Sequence, residues 1–293
     1  MSKQGLNSKY KKTSRLKEIW HQFKKNKGAV IGLAVIACFV ILALVSPYIW
    51  DYDTDIAGMD AMNRLKSPSA EHWFGTDSMG RDLFARVCYG SRYSLLIAFF
   101  CVVISFVLGV GIGSCAAYFG GNIEYIIMRI VEIFLMIPSM MMAVVLVAVF
   151  GVSLTNLIFA LGLASVPYFA RTARAATLTV VNCEYVEAAK ALGASDIHII
   201  LKYVIPNSLS PSIVQATSRF GSAIIDAASF SFLGLGVPAP MPEWGALLSD
   251  GRLQMRMHPY LIVFPGLAIM IAVLALNIAG DGLRDALDPK LKR

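Results

Sequence analysis

From Gly28 to Trp50 the chain reads GAVIGLAVIACFVILALVSPYIW, and no side chain in that run carries a charge. A helix needs about 20 mostly apolar residues to cross a bilayer, so this run is predicted to be a transmembrane helix. Its length and the lack of a small-residue cleavage site favour an uncleaved span over a secretion signal. Composition extends the conclusion to the rest of the chain. Of 293 residues, 57% are hydrophobic and 15% charged, with a mean hydropathy of +0.64. Soluble domains carry about a quarter charged residues, so this chain lacks the polar surface that water would require. The fold class expected is all-α and polytopic.

Six spans are predicted, at about 28–50, 94–119, 125–150, 153–170, 209–236 and 259–280. The fifth is the least apolar, because Ser, Thr, Arg219 and Asp226 interrupt it. The tail before the first span holds nine Lys or Arg, Lys24, Lys25 and Lys27 among them, against the single acid Glu18. By the positive-inside rule that end stays in the cytoplasm, and six crossings return Arg284, Lys290, Lys292 and Arg293 to the same side. Segment 51–93, with seven acids against five basic residues, is then external. The organisation expected is a tail at 1–27, a first helix at 28–50, the external segment, a five-helix core at 94–282 with a cytoplasmic loop at 171–207, and a tail at 283–293. The net charge of +7 fits this topology and contact with anionic lipid, not nucleic acid.

Other function classes lack their parts. Five cysteines show no CxxC spacing, and His21, His72, His198 and His258 are scattered, so neither a metal site nor a catalytic residue is expected. GxxxxGK[ST] is absent, and GVGIG at 109–113 lies inside a span, so no ATP-binding loop is expected on this chain. No repeat relates the two halves, as a secondary transporter would often show.

The stretch EYVEAAKALGASDIHIILKYVIPN, residues 184–207, interrupts two apolar runs with charges, a glycine and a proline. Asn182 is a candidate N-cap, with Glu184 and Glu187 in the first turns of a helix that Gly193 stops. A second helix is expected from Ser195 to Pro206. On the first helix Tyr185, Ala188, Ala189 and Leu192 share one face, a slim one suited to a groove on another protein. An amphipathic hairpin on lipid would show bulky apolar residues opposite several Lys or Arg, and this stretch has neither.

EAAKALG followed by Pro206 resembles the EAA loop of importer-type ABC permeases, E-A-A-x3-G-x9-I-x-L-P, with Glu187, Ala188, Ala189, Gly193 and Pro206 matching. HWFGTDSMGRDLFARVCYGSRYSL at 72–95, SFLGLGVPAPMPEWGALLSDGR at 231–252 and FPGLAIMIAVLALNIAGDGLRDALDPK at 264–290 resemble the C-type permeases of dipeptide, oligopeptide and nickel importers. The resemblance implies the six-helix type I importer fold and a coupling helix, at 184–193, that docks in a cleft of the ATPase. It also implies a second homologous permease, two cytoplasmic ATP-binding subunits carrying ATP and Mg, and an external solute-binding protein, with no cofactor on this chain. The setting implied is the inner membrane of a bacterial or archaeal cell. The solute implied is a di- or oligopeptide, with nickel or another small solute as the alternative.

Three further groups are candidates. Trp73 and Trp244 fit either an interfacial aromatic belt or contact with the external binding protein. Asp77, Arg81 and Asp82 are expected to form a local salt-bridged turn on an exposed loop, where ion pairs stabilise little. Glu132, beside Arg129, and Arg219, Ser222 and Asp226 on one face of the fifth span carry polarity at membrane depth. Such residues face protein or a wet cavity, so they mark a translocation pathway or a contact between permease subunits.

Overall fold

The computed structural model describes residues 15–287. They form helices joined by turns, and the only strand-like pairing among them is an isolated bridge between Thr76 and Asp82. A short helix α1 (Arg15–Lys25) precedes α2 (Lys27–Ile49), whose first turn is capped by Asn26 accepting from the Ala29 N–H at 3.1 Å. Four of the nine basic residues of the N-terminal tail (Lys3, Lys9, Lys11 and Lys12), along with Lys290, Lys292 and Arg293, lie outside the described residues.

Helix α3 (Leu83–Phe119) starts eleven residues earlier than the expected second span, because Asp82 caps it by accepting from the Ala85 N–H at 2.9 Å. Its 37 residues reach about 55 Å at 1.5 Å per residue, well beyond a hydrocarbon core of about 30 Å. The segment expected as an external loop up to residue 93 is therefore helical from Leu83 onward. GVGIG lies where α3 packs on α6 (Leu154–Leu178). A Cβ on Gly113 would come within 2.1 Å of the Ala170 carbonyl oxygen, and one on Gly109 within 2.3 Å of the Phe169 Cβ. Those glycines let two membrane helices approach backbone to backbone.

The expected third span, 125–150, is not one helix. Chain direction turns by 90° between α4 (Gly121–Met136) and α5 (Ser139–Phe150). Pro138 lacks an N–H and disfavours helical geometry at the preceding residue, so Ile137 is extended (φ −88°, ψ 124°).

After α6 come α7 (Glu184–Ala191) and α8 (Asp196–Ile199), which runs through a wide turn at Ile200–Val204 directly into α9 (Ile205–Phe232). Pro206 thus opens α9 instead of closing a second helix, since the first turn of a helix has no use for its missing N–H. Helix α10 (Trp244–Gly251) precedes α11 (Tyr260–Leu287).

Four helices, α2, α3, α6 and α11, are long and apolar enough to cross a bilayer, and the bent α4–α5 pair would make a fifth. The fifth expected span exists as α9, but its serines, Arg219 and Asp226 keep it below that apolarity. The main core joins α3, α5, α6, α9, α10 and α11 through residues such as Ile97, Cys101, Leu157, Leu161, Ile224, Phe230 and Trp244. All five cysteines are free.

Candidate functional site

Outside the main core, α7 and α8 fold into a lobe with an apolar centre of its own. Val186, Ala189, Ile199, Ile200 and Val204 bury there against Val181 and Tyr118. Acids in the first turn of α7 (Glu184, Glu187) and Lys190 in the last complement its dipole. Cys183, not Asn182, occupies the N-cap, and no side chain closes it. At the other end Gly193 takes φ +77°, and the Ala194 N–H donates to the Ala189 carbonyl at 3.1 Å. The lobe is clamped to the end of α3: the Tyr118 hydroxyl donates to Asp196 Oδ1 at 2.7 Å, and the Lys190 ammonium lies 4.7 Å from the Tyr118 ring centre.

The stripe expected on α7 divides. Ala189 turns inward with Val186, because the lobe's own core lies on that side, and only 7% of Ala189 is exposed. Tyr185, Glu187, Ala188 and Leu192 face out, and Ile197 and Leu201 extend the apolar part of that surface. Leu192 is 88% exposed, which marks the centre of an unpartnered apolar knob.

At the opposite end of α3 the expected surface turn is a buried charge knot. Asp77, Arg81 and Arg86 are each no more than 5% exposed. Asp77 Oδ2 accepts from Arg81 Nε at 2.7 Å and from Arg86 Nη1 at 2.5 Å, while Oδ1 accepts from the Met79 and Arg81 N–H groups at 2.8 and 3.0 Å. Asp250 on α10 completes the charge balance from 3.8–3.9 Å. Burial raises the Asp250 carboxyl above its ordinary pKa, opposed by Arg86 and Arg81. Asp82 stands apart from the knot, capping α3 and meeting His72 Nδ1 at 2.8 Å.

The tryptophans separate. Trp73 is 64% exposed and leans on Phe84, ring centres 4.9 Å apart. Trp244 is fully buried, its Nε1 donating to the Val87 carbonyl at 2.9 Å, so it is a core residue and not a surface contact. Glu243 beside it is buried as the N-cap of α10, accepting from the Gly245 and Ala246 N–H groups at 2.9 Å and from the Ser94 hydroxyl at 3.2 Å. Sequence spacing missed Arg86, Glu243 and Asp250. The available signal for Arg86 was a second arginine on the apolar helix start RDLFAR, within reach of the Asp77 already in the cluster; Glu243 and Asp250 come from a distant segment.

The polar residues at membrane depth also separate. Arg219 and Asp226 do meet, Nη2 to Oδ2 at 2.7 Å, and the Ser165 hydroxyl of α6 accepts from Arg219 Nη2 at 2.7 Å. Ser222 and Arg219 line a cavity of about 290 Å³ together with Ser165, Gln215 and Tyr168. Glu132 does not join them; it pairs with Arg129 at 3.1 Å on an exposed face of α4.

Residues 107–293 match the family described as "Binding-protein-dependent transport system inner membrane component", and residues 14–68 match the "N-terminal TM domain of oligopeptide transport permease C". The dipeptide transport system permease protein DppC of Alkalihalophilus pseudofirmus is 46% identical over 283 residues, covering 97% of this chain and 92% of that protein. A di/tripeptide transport system permease protein DppC of Pseudomonas aeruginosa is 42% identical, covering 95% and 93%. The glutathione transport system permease protein GsiD of Pectobacterium atrosepticum is 40% identical, covering 94% and 91%. In fold, the chain is similar to a MetNI methionine ABC transporter chain in an inward facing conformation, with TM-score 0.56 and 21% identity over 70% of this chain and 98% of that one. The chain belongs to the binding-protein-dependent transport system inner membrane component family, as a multi-pass permease subunit of DppC/OppC type in an ABC importer whose ATPase and binding protein are separate subunits.

Proposed function

We propose that this chain forms one half of a pathway importing di- or oligopeptides, paired with a second homologous permease and driven by two ATPases that hold ATP and Mg. The knob on α7 carries the reading: Tyr185, Ala188 and Leu192 project from a lobe whose own core is already filled, so the surface is free for a partner. Glu187, Gly193 and Pro206 support the surface by starting α7, stopping it and opening α9. In this reading the lobe and both termini are on the cytoplasmic side of the inner membrane, and Trp73 belongs to the surface that meets the binding protein. Closure of the ATPase pair on ATP moves the lobe and switches the spans from inward- to outward-facing; hydrolysis resets them. Dipeptide, di/tripeptide and glutathione permeases among the relatives support a peptide as the solute.

The test is reconstitution of the full importer in proteoliposomes with labelled dialanine and labelled nickel. Accumulation of dialanine that needs both ATP and the binding protein is expected. Accumulation of nickel without peptide would overturn the solute assignment.

A further inference from the structure

Arg219 and Asp226 stand seven residues apart on α9, about 10.5 Å along the helix axis, yet their side chains touch. They touch through one carboxylate oxygen only, not through the two-point fork in which arginine pairs most strongly. Ser165 takes two more of the guanidinium donors, and Nη1 has no acceptor among the described residues. One turn away the side-chain oxygen of Gln215 is buried without a donor. A cavity of about 290 Å³ is lined by Arg219, Ser165 and Gln215 together with Ser222 and Tyr168, and Asp226 stands next to it through its bond to Arg219.

A single-bonded ion pair with spare capacity on both partners is a weak strut and a good receiver for a ligand carrying one charge of each sign. A short peptide with free termini is such a ligand, and two extended residues span about 7 Å, within reach of side chains based about 10.5 Å apart. We propose that this cavity, with Asp226 beside it, receives both termini of a short peptide. Arg219 parts from Asp226 to take the peptide carboxylate, Asp226 takes the ammonium, and Gln215 bonds the peptide backbone. Every charge stays paired before, during and after passage, which matters because an unpaired charge at membrane depth is costly. The proposal rests on the peptide-permease reading and deepens it, since relatives' names say nothing of how the solute is held inside the membrane.

The test uses the intact complex in nanodiscs without the binding protein, with labelled dialanine as probe and dialanine, dialanine amide and N-acetyl-dialanine as competitors. Dialanine should compete about tenfold better than either capped form, the size of one charge-assisted contact. Arg219→Gln should erase the preference for a free carboxylate and keep that for a free amine; Asp226→Asn should do the reverse. Arg219→Lys, which keeps the charge, should retain both preferences at weaker affinity. Equal competition by all three peptides on the wild-type complex overturns the proposal whether or not the variants assemble. Loss of both preferences together in each variant overturns it too, and marks the pair as a contact between permease subunits. Uptake of dialanine by the complete wild-type importer is measured in parallel: its absence removes the peptide reading itself, whereas uptake without terminus preference removes only this site.

Discussion

Asp77 accepts two backbone and two guanidinium hydrogen bonds while almost wholly shielded from water. Removing its charge would leave Arg81 and Arg86 buried without their closest counter-ion, and breaking a buried pair from one side costs about 3–5 kcal/mol. Asp77→Asn should therefore lower the thermal midpoint of the purified complex sharply. Asp250 behaves oppositely. Its folded pKa is raised, so the stability it contributes is present at acid pH, below its unfolded value, and is lost as pH rises through the folded value. Asp250→Asn should leave the midpoint at pH 7 unchanged or higher, and should flatten its dependence on pH across the range just above the ordinary carboxylate value. A scan of both variants between pH 4 and 7, on the order of the carboxylate range, reads this out. The two acids could not be told apart in sequence. Asp77, Arg81 and Asp82 are visible as a cluster, but burial is conferred by α10 and the turn that leads into it, which arrives from more than 150 residues away, as in the contact of Arg86 Nη2 with the Pro240 carbonyl. Trp244 illustrates the same limit: an aromatic beside a Pro-rich turn reads as an interfacial anchor until α3 is seen closing over it.

Among the elements, α7 shows how far helical spacing carries. Its start, its direction and its stop at Gly193 follow from acids, alanines and a glycine that the sequence displays. Its facing does not, because Tyr185, Ala188, Ala189 and Leu192 span a stripe wide enough to straddle the boundary, and the inner anchor is Val186, outside that stripe. The consequence is a reversed pair of expectations. Ala189→Trp should overpack the lobe and cost about 1–3 kcal/mol of its stability. Ala188→Trp should leave the lobe folded and instead block the ATPase from docking. Limited proteolysis of the lobe and ATPase pull-down on both variants check this; full ATPase recovery by Ala188→Trp would contradict the docking surface. The break at Pro138 was legible in principle, since proline inside an apolar run marks a boundary, but hydropathy alone ran through it. The length of α3 was not, because Arg86 and Arg92 look like the end of a span when only lipid is considered.

For the whole molecule, the positive-inside argument sets the external segment and the α7 lobe on opposite sides of the bilayer. Met62 and Leu192 are 91% and 88% exposed, so both are suitable for labelling after Met62→Cys and Leu192→Cys substitution. In intact cells an impermeant maleimide should label the first and reach the second only after permeabilisation. Labelling of both from one side would require an even number of passes between them, not the three expected, and would discard the six-pass arrangement. All-α, polytopic architecture was readable because lipid enforces it; the number of passes was less so, because α9 gives up apolarity to carry Arg219 and Asp226.

Helices α2, α6, α9 and α11 each contain a proline, at Pro47, Pro167, Pro211 and Pro265, whereas α3 contains none. The longest described helix is thus also one without a proline hinge. It is gripped at one end by the guanidinium of Arg86 and at the other by the phenol of Tyr118, which holds Asp196. Such a rod transmits displacement: tilting a shaft of about 55 Å by about 5° carries its far end about 5 Å, close to one helical turn. A thrust delivered to α7 is felt at Asp77 through a single push-rod, with no train of side chains needed in between.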